Sequence, residues 1–193
     1  MIAIRTARSP DYPAIHDMIV RIFQATYGDG EQVSLLVENL RKLPAYDSNL
    51  SLVATDGDRV VGHVLFSRIE IVGDQERTPA LALAPLCVDE AYRKQGIGAR
   101  LVRLGMERGG RSDYAAVIVQ GDPKYYGRFG FIPCAQRGLI TPFPNPSSPA
   151  NMVVGLHDQR FARLKGDVDY PSPFDVWKIP TDKKRGRNEL KTN

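Results

Sequence analysis

Two glycines one residue apart, Gly96 and Gly98, follow a basic pair, Arg93 and Lys94, and open a new apolar pattern at helical spacing. An apolar run from Ala80 to Val88 ends just before them, at the acidic turn Asp89-Glu90. This arrangement suits a backbone that holds an anion. The first amide hydrogens of a helix are unpaired, and the macrodipole places partial positive charge there. Glycine removes the Cβ atoms that would keep an anion away from those amides. The same glycines would equally serve a tight strand-to-helix turn with no ligand, and the local residues leave both readings open. Two other phosphate-binding patterns do not fit. A dinucleotide fingerprint starts its glycines directly after the strand and would need a small residue where Leu101 stands. A Walker loop would need Gly-Lys-Ser/Thr after Gly96, which is absent.

A second cluster, Gly121 to Phe131 (GDPKYYGRFGF), sets Tyr125 and Tyr126 in a short helix. Asp122 is suited to cap it, Pro123 to its first turn and Gly130 to its exit.

Other elements must position these two clusters. Ile2 to Thr6 alternates like a strand. Ser9 and Pro10 open a helix whose Ile15, Met18, Ile19 and Ile22 share one face. A second helix is predicted over Glu31 to Leu43, stopping before Pro44. Asp56-Gly57 joins two strands as a hairpin, and "ALALAPLCV" adds a third that carries Pro85. A helix from Gly96 ends at Gly109-Gly110. "YAAVIVQ" reads as a strand covered on both faces, and "MVVGL" as a late strand. The predicted order is β-α-α-β-β-β-α-β-α-β.

At 193 residues the chain is one domain by size, taken as residues 1–179 with a basic tail at 180–193. The net charge of +4 lies mostly in "DKKRGRNELKTN", so nucleic acid is not an expected partner. No apolar run approaches a membrane span and the first residues lack a signal-type apolar region, so a cytoplasmic protein without membrane association is expected. Cys87 and Cys134 read as buried thiols, and scattered His16, His63 and His157 give no metal site.

Taken together, "LCVDEAYRKQGIGARLV" resembles motif A of the GNAT superfamily of acyl-CoA N-acyltransferases, in which a strand leads to R/Q-x-x-G-x-G/A at a helix start. "YYGRFGF" is similar to the end of motif B, and with "MVVGL" looks like the YhbS-like branch. The resemblance implies an α/β (α+β) fold: a mixed, mostly antiparallel twisted sheet of six to seven strands, helices on both faces, splayed between strands 4 and 5. It also implies that backbone groups of Leu86, Cys87 and Val88 bind the pantetheine arm of acetyl-CoA. The amides of Arg93, Lys94, Gln95, Gly96, Ile97, Gly98 and Ala99 would cradle the pyrophosphate, with Arg100 or Arg128 reaching the nucleotide phosphate.

Tyr126 matches the family's general acid, a phenol whose ordinary pKa near ~10 keeps it protonated at pH 7. The family's motif A glutamate is missing here, so Glu70 is the first candidate base, His63 the second and a water relay the third. A lysine-type acceptor costs about 4.6 kcal/mol to deprotonate at pH 7, an α-amine only about 1 kcal/mol. The acceptor is therefore expected to be a primary amine of low pKa, or one deprotonated through water and Glu70.

The implied activity is N-acetyl transfer from acetyl-CoA to a small-molecule or peptide amine, by a monomer or homodimer. A non-catalytic acyl-CoA sensor and an O-acyltransferase are the alternatives. Tyr27 to Leu43, Ser67 to Thr78 and Gly138 to Ala150 are expected to shape the acceptor pocket.

Overall fold

A computed structural model describes residues 1–179, so the expected basic tail lies outside the described residues. Strands β1 (Ile2–Thr6), β2 (Ser51–Asp56), β3 (Arg59–Val72) and β4 (Arg77–Val88) form an antiparallel meander. β5 (Ala116–Gln120) then pairs parallel to β4, and β8 (Asn151–Gly155) and β6 (Ile132–Pro133) continue the sheet beyond it. β9 (Gly166–Asp169) pairs with the far end of β3, and β7 (Leu139–Ile140) pairs with β9. Among the described residues the sheet therefore has nine strands, where six to seven are predicted. β6 and β7 have two residues each and β9 has four, too few to display a period of two in sequence.

Helices cover both faces, as the fold class requires. On one face, α1 (Tyr12–Tyr27) and α2 (Gly30–Arg41) bury Ile15, Met18, Ile19, Leu36, Val37 and Leu40 against one apolar cluster. On the other, α3 (Ile97–Gly110) buries Ile97, Leu101 and Val102 with Phe66 and Leu81. β5 explains its own composition: Ile118 enters the first cluster while Val117 and Val119 enter the second. Helix α1 begins later than Ser9-Pro10 suggests, because Ser9–Asp11 forms a 3₁₀ turn first. It ends at Gly28, whose φ of +79° few other residues adopt. No helix among the described residues is long and apolar enough to cross a membrane.

His63, on β3, is fully buried, and its Nδ1 lies 3.0 Å from the Leu52 carbonyl oxygen. A carbonyl only accepts, so Nδ1 carries the hydrogen and Nε2 is left without a partner. Burial, reinforced by the Arg41 charge and opposed by the Leu52 carbonyl, pushes the imidazole pKa down to about 3. Between about pH 6.5 and that value the unfolded chain binds a proton that the folded chain refuses. The stability it supports is complete above the unfolded pKa and is lost as pH falls through this window. The folded-to-unfolded ratio should thus drop up to about tenfold per pH unit. Urea titrations at pH 6.5 and 4.5 should show that slope in the natural protein and a flatter one in His63→Gln.

Candidate active site

β4 and β5 hold together over two register pairs only, Leu81↔Val117 and Ala82↔Ile118. Past them the strands part. Val64 faces Leu86 and Phe66 faces Leu83, so Ala84 and Pro85 together oppose Leu65 in a bulge. Pro85 has no N–H to offer a neighbouring strand, which suits it to this divergence. A cavity of about 510 Å³ opens in the gap, within the usual range of small-ligand sites. Leu83 to Leu86 form one wall and Val119 to Asp122 another, with Tyr125 and Tyr126 beside them.

The turn after β4 is held by Asp89. Its carboxylate accepts from the Ala91 amide and pairs with Arg21 of α1 and Arg59 of β3, each at 3.1 Å. Burial alone would raise its pKa, but the Ala91 amide and these two guanidiniums hold it below the ordinary carboxylate value. Lys94 and Gly96 follow with φ of +60° and +76°. The first helical bond of α3 runs from the Arg100 amide to the Gly96 carbonyl at 3.0 Å, and Gly96 has no side chain to cap the amides before it. A Cβ built at Gly96 would meet nothing within 4 Å, so there is open space beside the turn at that residue. At Gly98 a Cβ would lie 2.7 Å from the Tyr125 hydroxyl, which makes that close approach the reason for glycine. An uncapped, basic-flanked helix start with room above it fits a phosphate group.

Tyr126 is only 9% exposed and lines the cavity. Its ring meets Tyr125 at 5.0 Å and Phe131 at 5.5 Å, both edge to face. A Cβ at Gly121 would come within 2.3 Å of that ring, so glycine there allows the ring to lie against the backbone. The Asp122 side chain accepts from the Lys124 amide and starts the short helix α4 (Pro123–Tyr126). Burial, with smaller effects from Tyr125 and Tyr27, pushes the Tyr126 phenol well above its ordinary pKa.

The other sequence candidates divide. Leu86 and Arg93 line the cavity, and the Arg93 Nε–H donates to the Val88 carbonyl at 3.3 Å. The Cys87 side chain is buried in the cluster under α1, and burial pushes its thiol up to about 12. Lys94 and Gln95 are exposed, and buried Ile97 anchors the start of α3.

Glu70 requires a correction: it is not among the residues lining the cavity. It sits where β3 meets Pro79 of β4 and Asp169 of β9, and its carboxylate accepts from Arg77 and Arg68. Those two partners, Arg77 first, lower its pKa, which weakens it further as a proton acceptor. His63 does not line the cavity either.

The acceptor-shaping segments also need revision. Tyr27, Asp29, Val33, Leu36 and Phe143 lie in the cavity wall as expected, whereas Ser67 to Thr78 does not. Tyr170, Phe174 and Trp177, outside all three expected segments, complete that wall. Their only sequence signal is an aromatic density in "YPSPFDVW" with no strand or helix period.

Comparison with known proteins agrees with this geometry. The sequence profile of the Acetyltransferase (GNAT) family matches residues 12–131. The chain is 36% identical over 173 residues to the uncharacterized N-acetyltransferase YhbS of Escherichia coli (strain K12), covering 89% of this chain and 98% of that one. The crystal structure of Escherichia coli YhbS in complex with CoA superposes with a TM-score of 0.79 at 32% identity, covering 90% of this chain and 92% of that one. A GNAT family acetyltransferase from Brucella melitensis, solved in complex with acetyl-CoA, superposes with a TM-score of 0.71 at 26% identity, covering 91% of this chain and 99% of that one.

Proposed function

The chain belongs to the GNAT family of acetyltransferases, and on that premise we propose that it moves an acetyl group from acetyl-CoA to a primary amine by direct attack in a ternary complex. The observation that carries this reading is the parting of β4 and β5 after Ala82 and Ile118, with Tyr126 in the wall of the cavity so opened. Acetyl-CoA supplies an acyl carbon already activated by a thiol leaving group. Backbone groups of Leu86, Cys87 and Val88 take the pantetheine arm along the free edge of β4. The amides from Arg93 through Ala99 take the pyrophosphate.

The acceptor nitrogen, after losing a proton to solvent, forms the new N–C bond as the C–S bond breaks, and then gives a second proton to water to become the neutral amide. The sulfur leaves with the bonding pair, and Tyr126 Oη–H gives it a proton. Tyr126 is recharged from water, so the products are the N-acetylated amine and free thiol. A raised pKa keeps that proton on the oxygen at every pH below ~10.

Titration calorimetry with CoA, followed by thiol release from acetyl-CoA with a panel of amines and matching alcohols, tests the proposal. Saturable heat and amine-dependent thiol release are expected. No heat with CoA would overturn it. Tight binding without turnover would assign a binding module instead, and release only with alcohols would assign O-acyl transfer.

Gly96→Val probes the donor end. A β-branched residue at φ +76° costs roughly 1–2 kcal/mol and sets two methyl groups beside the amides. The Kd for CoA should rise at least tenfold by calorimetry. Gly110→Ala, at the open end of the same helix, should leave it unchanged.

A further inference from the structure

Asp29 stands at the N-cap of α2, yet its side chain makes no capping bond. An aspartate there ordinarily accepts from an amide of the first turn. Here Oδ1 is inaccessible to solvent and has no hydrogen-bond partner, while the residue lines the cavity. No ion pair within 4.0 Å involves Asp29 among the described residues. Oδ2 has no hydrogen-bond partner among the described residues either but is open to solvent, so a donor on a ligand in the cavity can pair with the carboxylate there. The orientation is fixed by the backbone. Gly28 reverses the chain, and a Cβ at Gly30 would come within 2.3 Å of the Val20 carbonyl, so the start of α2 is pressed against α1.

The wall around Asp29 is aromatic. Phe143 meets Tyr170 at 4.7 Å and Tyr170 meets Phe174 at 4.9 Å, both edge to face. Phe23 and Trp177 extend it. Two other charged residues line the cavity, each held by one hydrogen bond: the Arg93 Nε–H donates to the Val88 carbonyl, and Asp122 Oδ1 accepts from the Lys124 amide. Tyr27, two residues before Asp29, lies within electrostatic reach of Tyr126. Phe143, Tyr170, Phe174 and Trp177 all lie beyond residues 12–131, the part matched by the family profile. The aromatic part of this wall is thus built largely from a segment outside the shared pattern.

Resting on acetyl transfer as the activity, we infer that the acceptor is a primary amine on an apolar, ring-bearing body, its ammonium group paired with Asp29 and its ring against the Phe143–Tyr170–Phe174 face. Asp29 is a specificity-determining residue. It selects the cation on arrival, and the apolar wall excludes polyamines and acceptors that carry a carboxylate beside the nitrogen.

The test uses the full chain with acetyl-CoA and 2-phenylethylamine, and spermidine and phenylalanine as comparators. The kcat/KM for 2-phenylethylamine should exceed both by at least tenfold. With CoA bound, calorimetry should find 2-phenylethylamine at least tenfold tighter than 2-phenylethanol, which has the same ring but no charge. Asp29→Asn should erase that difference and raise KM for 2-phenylethylamine at least tenfold, with kcat and the Kd for CoA little changed.

An unaltered amine-to-alcohol ratio in the variant would overturn the inference. So would preference for spermidine or phenylalanine, or hexanoyl-CoA serving a small amine as well as acetyl-CoA serves 2-phenylethylamine, since the aromatic wall would then hold an acyl chain. Those outcomes leave acetyl transfer standing. Absence of both CoA binding and thiol release would remove the parent activity, and the acceptor assignment with it.

Discussion

Tyr126→Phe should lower kcat for acetyl transfer about a hundred- to ten-thousand-fold, the usual worth of a positioned general acid. The KM for acetyl-CoA should change little, because the donor contacts proposed above involve the edge of β4 and the start of α3 and not Tyr126. The substitution removes one oxygen and keeps the ring. Its edge-to-face contacts with Tyr125 and Phe131, and its seat on Gly121, therefore survive. Thermal unfolding should confirm this by matching the natural protein within a few degrees. The pH profile separates chemistry from packing. Burial holds the phenol protonated across the assay range, so the acid limb should report the acceptor amine and remain in the variant at a reduced plateau. A variant with full kcat would assign proton delivery to water.

Gly105→Val should have the largest effect on stability. A Cβ at Gly105 would fall 2.0 Å from Cε2 and 2.5 Å from Cζ of Phe66, which is itself 1% exposed. Helix α3 therefore rests on the β3 side chain with no space between them. Replacing a helical glycine by valine would ordinarily gain only about 0.3–0.5 kcal/mol. Overpacking typically costs about 1–3 kcal/mol, and a clash this deep with an aromatic ring belongs at or above the upper end. A net loss near 3 kcal/mol would lower Tm by roughly 6–12 °C for a chain of this size. Thermal melts of Gly105→Val and of Gly105→Val/Phe66→Ala test the origin. If the clash is the cause, the double variant loses less than the sum of the two single losses.

The legible parts of the sequence were those governed by local rules. Asp56-Gly57 marked the hairpin, Asp122-Pro123 the short helix and Pro85 the parting of two strands, each through backbone chemistry acting over a few residues. Gly96 and Gly98 were legible for the same reason, although the need for glycine at position 98 comes from Tyr125, a residue distant in sequence. Glu70 misled because a carboxylate on a strand next to the motif says nothing of its neighbours. Arg77 across the hairpin and Asp169 of β9 turn that position into part of an ion-pair group at the sheet end. The aromatic wall was hidden for a related reason. Phe143 and Tyr170 are far apart in the chain and meet only because the C-terminal segment folds back over α2.

Asp89 ties together three segments: the turn before α3, Arg59 on β3 and Arg21 on α1. Phe23, two residues further along α1, belongs to the cavity wall. One carboxylate thus braces both the turn proposed to hold the pyrophosphate and a helix of the cavity wall. Redesign of substrate choice through α1 would carry over into grip on the donor. The self-bracing trio of Phe143, Tyr170 and Phe174 offers the more independent handle, the place where selectivity can be rewritten while the donor side keeps its shape.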